Sequence, residues 1–189
     1  MTSIAELILI LRDADDPRLP VAARTALLAM AEQIEMLTAR IETLDTSIVA
    51  AVKADETARR LTSIPGVGPI IAATVRATIQ DPTAFKTGRD LAAWIGITPR
   101  ANSSGGKERL GKISKRGNKS LRTLLIVGAT SILKQARRGV KLPAWIGSLM
   151  ARRPYKVVAV ALANKMARTI WALLVKGGIY RAPALMTKA

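Results

Sequence analysis

The sequence predicts an all-α protein: a long coiled-coil helix, then a compact helical domain with a helix-hairpin-helix and a long, basic, glycine-rich loop. Three observations support this fold class. Apolar residues recur at heptad spacing in the first third of the chain. Further on, apolar runs of helical length alternate with breaks rich in Gly and Pro. Finally, 49% of the 189 residues are hydrophobic, which is enough for a packed core and excludes a largely disordered chain.

Charge is distributed very unevenly along the chain. There are 30 Lys and Arg against 13 Asp and Glu, which gives a formal net charge of +17. Residues 1–60 contain seven basic and ten acidic side chains, whereas residues 61–189 contain 23 basic and three acidic ones. A compact domain with so much positive charge repels itself. We therefore predict a polyanionic partner, with nucleic acid as the first candidate, rather than a merely solvated surface.

Composition also excludes several classes of function. The chain has no Cys and no His, so it offers no disulfide, thiol nucleophile, imidazole base or Cys/His metal site, and we predict no bound metal. Aromatic residues make up only 3%, which disfavours a basic membrane-binding helix. No stretch has the pattern of a signal peptide or a membrane span. We expect a cytoplasmic, nucleoid-associated protein with no membrane partner.

Residues 1–20 are predicted to be an N-terminal segment and linker. The acids Asp13, Asp15 and Asp16 could suggest a metal site, but two prolines follow them closely. Small polar residues beside prolines are typical of an exposed connection. The linker is therefore the interpretation that we favour.

Residues 21–60 are predicted to form a coiled-coil helix. Heptad positions a and d are apolar, and the stripe stops where the charged Asp55 falls at a. Such a stripe is narrower than the face of a helix in a globular core, which favours pairing with another helix, for example in a homo-oligomer. The alternative is an amphipathic helix packed on its own domain. The a residues are Leu27, Ile34, Ile41 and Ile48, and the d residues are Met30, Leu37, Leu44 and Ala51.

A turn with the sequence IPGVGP follows at residues 64–69. It resembles the hairpin of a helix-hairpin-helix, in which glycines bring main-chain N–H groups close to a phosphate. Gly66 and Gly68 are the candidate contacts to a nucleic-acid backbone, and Pro69 suits the first turn of the next helix. The alternative is a tight turn between two helices with Val67 in the core. After a break at Asp81, either Thr87 or Asp90 is expected to cap a short helix.

The loop from Gly96 to Gly117 is the most basic segment of the chain. Asn118 is predicted to cap a long helix that ends near Arg138, and a short hairpin is possible within residues 97–114. Several cations crowd the start of the long helix, where the helix dipole is already positive, so a bound anion explains them best. The candidate DNA-binding residues of this region are Arg100, Lys107, Arg109, Lys112, Lys115, Arg116, Lys119 and Arg122.

Two serines precede a pair of glycines inside this loop. A serine on a flexible turn among Arg and Lys could attack a phosphodiester, and the cations would stabilise the growing negative charge. From composition alone, a plain Ser-Gly turn at Ser103 and Ser104 is the more economical interpretation. Beyond the loop, a short helix at 145–150 and a long one at 154–175 are expected, and Lys165 and Arg168 could face a phosphate. We predict a DNA-binding domain over residues 61–181 and a tail over 182–189.

Residues 64–75, 85–129 and 161–174 together resemble part of a known protein family. These are the insertion-sequence transposases that pair an RNase H-like DEDD domain with a C-terminal serine-bearing domain. The resemblance covers residues 22–181 and implies DNA transposition guided by a structured RNA. It also implies that Ser104, which stands before glycine, is the nucleophile, with Ser103 as its rival. By the same resemblance, the cations around the serines would contact the DNA backbone or stabilise charge: Arg100, Lys107, Arg109, Lys115 and Arg122.

The resemblance also raises an expectation about what this chain lacks. The family's DEDD domain, whose carboxylates would bind Mg²⁺, would precede the coiled coil, where the chain has too few residues to form it. We therefore expect the chain to hold no cofactor itself and, alone, to bind DNA without transposing it. Two alternatives remain: a non-catalytic helix-hairpin-helix nucleic-acid-binding module, and a coiled-coil regulator of full-length transposases.

Overall fold

A computed structural model describes residues 4–14, 16–102, 110–136, 138 and 142–181. The predicted all-α class is confirmed, because long helices dominate and the only strands described form one small two-stranded sheet. The chain forms two compact units, residues 1–47 and 48–189, and each is described by itself.

The first unit consists of helix α1 (Ile4–Arg12) and most of helix α2 (Val21–Ala54). The predicted linker segment therefore contains a helix. Arg12 at the end of α1 pairs with Glu35 at 2.7 Å. The guanidinium of Arg24 is buried and donates hydrogen bonds to four backbone carbonyls. These bonds provide partners for carbonyl groups in the last turn of α1 and in the connection after it. The four carbonyls belong to Ile10, Leu11, Asp13 and Asp16.

In the acidic connection between α1 and α2, the carboxylate of Asp16 is paired with Arg18. The carboxylate of Asp16 accepts hydrogen bonds from the Arg18 side chain and backbone, which hold its pKa well below the usual range. Within the described residues, no three or more Asp, Glu, His or Cys side chains are grouped as a metal site would require. Asp15 lies outside those residues.

The second unit begins with the last turns of α2 and is built around one central helix. Helix α8 packs against α3, α5, α6 and α7, and its inward face is made of small and medium apolar side chains. Its elements after α2 are α3 (Glu56–Leu61), α4 (Pro69–Thr78), a 3₁₀ turn (Pro82–Ala84), α5 (Gly88–Ile95), β1 (Pro99–Ala101), β2 (Leu110–Ile113), α6 (Lys119–Ala136), α7 (Ala144–Met150) and α8 (Tyr155–Lys176).

Helix α8 is long and apolar enough to cross a membrane by length and composition alone. Its seven buried residues, from Val158 to Ile170, belong to the core of the second unit. The helix also carries exposed Lys156, Lys165 and Arg168. Charges on an outer face and apolar residues on the inner one are typical of the core helix of a water-exposed domain.

The long helix ends where the heptad pattern meets its first charge. The carboxylate of Asp55 accepts hydrogen bonds from the amides of Thr57 at 2.8 Å and Ala58 at 3.1 Å, so Asp55 caps α3 instead of continuing α2. Its other oxygen accepts from Nε of Arg76 in α4 at 2.8 Å. That bond, with the two amides, lowers the pKa of Asp55. The cap thus ties the start of α3 to α4.

The turn between α3 and α4 is held by the core. Val67 is buried, as the alternative interpretation of this turn predicts. Gly66 lies against Gly128 of α6, where an added Cβ on Gly128 would stand 2.2 Å from the Gly66 carbonyl oxygen. Gly68 is exposed, with no atom near its Cβ position. Two helices flank the turn, but the helix-hairpin-helix is not confirmed as a motif and stays a prediction.

Helix α5 has the predicted cap. The Thr87 hydroxyl accepts from the amides of Arg89 and Asp90, and the Asp90 carboxylate accepts from the Thr87 amide at 2.9 Å, a complete capping box. At the other end, the ring of Trp94 lies 5.5 Å from that of Phe85, centroid to centroid. Trp94 remains 39% exposed, so it lies at the edge of the core.

Candidate nucleic-acid interface

The predicted hairpin is present, and it is anchored to the end of α5. Strands β1 and β2 pair antiparallel, with Pro99 opposite Ile113. Beyond the strands, the amide of Ser114 donates to the Thr98 carbonyl at 3.0 Å, and the amide of Lys115 donates to the Gly96 carbonyl at 3.2 Å. The backbone hydrogen bonds therefore continue beyond the strands as far as Gly96, the residue that follows α5.

The main chain of residues 116–117, after the hairpin, packs directly on the main chain of residues 94–96, at the end of α5. Gly117 has φ +93°, and an added Cβ would stand 1.7 Å from the carbonyl oxygen of Trp94. At Gly96 the corresponding distance, to the Arg116 carbonyl oxygen, is 1.9 Å. Only residues without a Cβ fit this contact. The start of the basic helix α6 is thus held against the carbonyl end of α5.

Side chains complete the anchor. The side-chain oxygen Oδ1 of Asn118 accepts a hydrogen bond from the Leu121 amide at 2.9 Å, which confirms the predicted cap of α6. Nη1 of Arg122 donates to the Ile95 carbonyl at 2.8 Å, at the carbonyl end of α5. A guanidinium has five N–H donors, so this bond leaves others for a phosphate. The role of Arg122 in DNA binding stays a prediction, beside the anchoring role that the structure gives it.

Positive charge at the start of α6 is not neutralised within the described residues. Lys115, Arg116 and Lys119 are exposed, and none of the ion pairs that the structure describes involves them. Lys115 also has φ +56°, the left-handed region that side-chain-bearing residues rarely occupy. Cations at a helix N-terminus are disfavoured by the helix dipole, so a phosphate there would relieve a real electrostatic cost.

A recess of about 880 Å³ lies between the hairpin and α8, and we call it the hairpin groove. Among the described residues, five cationic side chains and no carboxylate line it, and the rest of that described lining is mainly apolar. The cations are Arg89, Lys112, Lys115, Lys156 and Arg168, and the apolar lining is Ile97, Pro99, Ile113, Val157, Val160 and Ala161.

A second recess of about 780 Å³ continues from the first, and we call it the tryptophan recess. Trp145 and Trp171 line it, and Nζ of Lys165 lies 4.6 Å from the centroid of the Trp145 ring. Gly88 allows α5 to approach α8 here, since an added Cβ would stand 3.0 Å from the Arg168 backbone. Four residues line both recesses and so join them: Arg89, Ala161, Asn164 and Arg168.

Comparison with known proteins identifies a family to which part of this sequence is similar. Residues 58–142 match the family described as Transposase IS116/IS110/IS902. The chain carries a transposase domain of this family. The match begins in α3 and takes in the hairpin and all of α6.

Several transposases are similar to most of this chain. A putative transposase, y4pF/y4sB, of Sinorhizobium fredii is 46% identical over 172 residues, which are 90% of this chain and 44% of that protein. A probable family 20 transposase of Pseudomonas aeruginosa is 45% identical over 86% of this chain and 48% of its own length. The transposase of insertion sequence element IS1111A of Coxiella burnetii is 47% identical over 71% and 37%. The chain thus spans less than half the length of these relatives.

The structure places the predicted site residues of the transposase domain in several different locations. Lys112 and Lys115 line the hairpin groove. Arg100 lies on β1 and donates from Nη2 to the Ser114 carbonyl at 3.2 Å. Gly66 and Gly68 belong to the α3–α4 turn and line neither recess in the part of the chain that the structure describes. Arg116, Lys119 and Arg122 lie at the start of α6, as described above. The other four, Ser103, Ser104, Lys107 and Arg109, lie outside the described residues, in the sequence between β1 and β2.

Sequence reasoning missed two cations of the hairpin groove. Arg89 stands in the first turn of α5, and Lys156 stands at the start of α8, far from the basic loop in sequence. A usable signal was present in α8: Lys156, Asn164 and Arg168 are spaced by multiples of four, which places them on one helix face. Of these, only Arg168 had been singled out, together with Lys165.

Proposed function

We propose that this chain is the DNA-binding, serine-bearing part of a transposase that acts in DNA transposition by serine-dependent strand exchange. One observation carries the proposal. Within a domain of a transposase family, a groove whose described lining holds five cations and no carboxylate adjoins the strand pair β1–β2, and Ser104 lies between those strands in the sequence. The alignment to less than half of each longer relative supports the view that this is one functional part of such a protein, its C-terminal half by the resemblance described above.

The proposed chemistry is a transesterification. The Oγ of Ser104 attacks the phosphorus of a DNA phosphodiester, a new P–O bond to serine forms, and the bond to one deoxyribose oxygen breaks. The serine proton ends on that leaving oxygen, and reversal on another DNA end completes the exchange without an external energy source. Arg100, Lys107 and Arg109 would stabilise the charge that grows on the phosphoryl oxygens. Ser103 is the rival nucleophile.

Two described carboxylates of the second unit, Asp81 and Asp90, already have other roles. Asp90 accepts from the Thr87 amide as part of the α5 cap. Asp81 accepts from the amide and hydroxyl of Thr83, and these bonds lower its pKa. A carboxylate with a lowered pKa is a weak general base. We therefore assign the serine's proton to neither Asp81 nor Asp90.

We further propose how the chain fits into a larger reaction. Mg²⁺ would be held by the DEDD domain that the family resemblance implies, and this chain itself would need no cofactor. A structured guide RNA is the second nucleic-acid partner, and the cytoplasmic nucleoid is the compartment. Alone, the chain would bind DNA without transposing it.

DNA binding by the start of α6 is the direct test of the proposal. Lys115→Gln and Lys119→Gln should each lower the slope of log affinity against log salt by about one phosphate contact, because each cation displaces roughly one counterion. Fluorescence anisotropy of a labelled duplex between 50 and 200 mM salt gives the slope. Lys176→Gln is the matched control, since this exposed lysine lines neither recess. Duplex affinity that is absent at low salt, or independent of salt, contradicts the proposal.

We also propose that α2 pairs with α2 of another copy. The apolar heptad side chains from Leu27 to Leu44 are 37% to 59% exposed, although isolated apolar stripes favour burial. Ile41→Asp should shift the protein from oligomer to monomer at micromolar concentration in sedimentation equilibrium, because a charge enters the seam. Ala50→Asp, an exposed position off the stripe, should leave the mass unchanged. A wild-type chain that is monomeric at those concentrations would refute the pairing.

The exposed stripe also supports the regulator as a second candidate function. A free heptad seam can pair with the corresponding helix of a full-length transposase as well as with its own copy. Co-purification of this chain with such a transposase, lost on Ile41→Asp, would favour that role.

A further inference from the structure

We propose that the hairpin groove and the tryptophan recess together bind an unpaired nucleic-acid strand. The cationic rim would hold the phosphates, and the apolar floor and the two tryptophans would receive bases and sugars. This inference rests on the proposed nucleic-acid binding and assigns the class of ligand to one surface.

The lining of the groove is the first reason. A surface that contacts only the backbone of duplex DNA needs cations and hydrogen-bond donors, whereas the described lining of this groove is mainly apolar. Among its apolar lining residues, Val157 is 50% exposed, whereas Ile97 is fully buried. In a duplex the base faces are stacked away from protein, but an unpaired strand can turn them onto an apolar surface.

The size and shape of the recesses are the second reason. The recesses have volumes of about 880 and 780 Å³, which is room for a few nucleotides of one strand but not for the full width of a double helix. Because the two recesses share Arg89 and Arg168, they form one track with cations at the junction. A few consecutive nucleotides, with phosphates at the rim and bases below, fit that arrangement.

The aromatic end of the track is the third reason. Trp145 and Trp171 are partly exposed in a recess that also holds Arg89, Lys165 and Arg168, the combination of stacking surface and cation that unpaired bases favour. Nε1 of Trp145 is buried and lacks a hydrogen-bond partner among the described residues. Asn164, in the wall between the recesses, offers an amide donor and acceptor to a base edge.

The test uses a substitution that removes part of the apolar lining of the groove without disturbing the fold. Val157 stands in the first turn of α8, where an acid is favourable to the helix, and Val157→Asp places a negative charge and removes the apolar contact. Val127→Asp on α6 is the matched control, because Val127 is 59% exposed and lines neither recess. Circular dichroism and the thermal midpoint establish that both variants are folded.

The probes are labelled oligo(dT) and oligo(rU) of 15 nucleotides and a blunt duplex of the same length. We expect Val157→Asp to weaken oligonucleotide binding by about tenfold or more, a clearly larger loss than for the duplex, with Val127→Asp close to wild type for both probes. Binding of the oligonucleotide should also quench tryptophan fluorescence in the Trp94→Phe variant, which retains only the two tryptophans of the recess.

The outcomes separate this inference from the proposed function. Preference for oligo(rU) identifies the strand as RNA and preference for oligo(dT) as DNA, and either supports the assignment. Duplex binding without oligonucleotide binding overturns the inference and leaves the proposed function intact. Oligonucleotide binding that is lost on Val157→Asp, in a protein that ignores duplexes, supports the inference and contradicts the proposed function. Equal effects of Val157→Asp and Val127→Asp also overturn it.

Discussion

Ser104→Ala is expected to abolish covalent attachment of the protein to DNA and to leave noncovalent binding unchanged within about twofold. The proposed adduct is a phosphoserine ester, which cannot form without the hydroxyl, whereas the cations that hold the backbone are untouched. The effect should therefore be complete for the adduct and small for affinity. Denaturing electrophoresis of end-labelled DNA detects the adduct, and anisotropy of a labelled duplex measures binding.

The neighbouring serine provides the control for this experiment. Ser103→Ala makes the same chemical change one residue away, and we expect the adduct to persist. The adduct should be sought with the chain alone and after mixing with a full-length relative such as the Pseudomonas aeruginosa transposase, whose larger size separates the two products. If Ser103→Ala and not Ser104→Ala removes the adduct, the rival serine is the nucleophile. A wild-type chain that forms no adduct in either condition is a non-catalytic binding module.

Gly117→Ala is expected to destabilise the second unit by about 3 kcal/mol or more. The substitution forces a side chain into a backbone with φ +93° and places its Cβ 1.7 Å from the Trp94 carbonyl oxygen, where only main chain can yield. For a chain of this length, such a loss lowers the thermal midpoint by roughly 6 °C or more. Duplex affinity should fall as well, because the same contact positions Lys115 and Lys119.

A second glycine controls for the loss of backbone freedom. Gly147 lies inside α7 with no atom within 4 Å of its Cβ position, and Gly147→Ala should be neutral or stabilise by up to about 1 kcal/mol. Differential scanning calorimetry compares the two variants under one condition. Equal midpoints for Gly117→Ala and the wild type would show that the contact between the basic segment and α5 is not rigid.

Features encoded by a few neighbouring residues could be predicted from the sequence. The heptad stripe ends at Asp55, and the structure ends α2 one residue earlier because the carboxylate caps the next helix. The Thr87 and Asp90 box and the Asn118 cap follow from the same local hydrogen-bond chemistry. The hairpin within residues 97–114 was marked by a polar, glycine-punctuated segment between two helices.

Features that depend on distant parts of the chain could not be predicted. The groove exists because α8 lies beside the hairpin, and nothing near Lys156 in the sequence indicates that neighbour. The same holds for the close approach of Gly66 to the Gly128 backbone, which requires knowledge of where α6 lies; the phosphate contact of Gly66 stays a prediction. Arg122 looked like one more loop cation, although its bond to the Ile95 carbonyl requires knowledge of where α5 ends.

The backbone at Lys115 has a consequence for the stability of this surface. Asn or Gly would occupy that conformation with less strain, so folding alone does not explain a lysine there. A long cationic side chain therefore stands at a position where thermodynamic stability alone would favour Gly or Asn. If the proposed nucleic-acid binding is correct, Lys115→Asn should raise the thermal midpoint while it weakens binding.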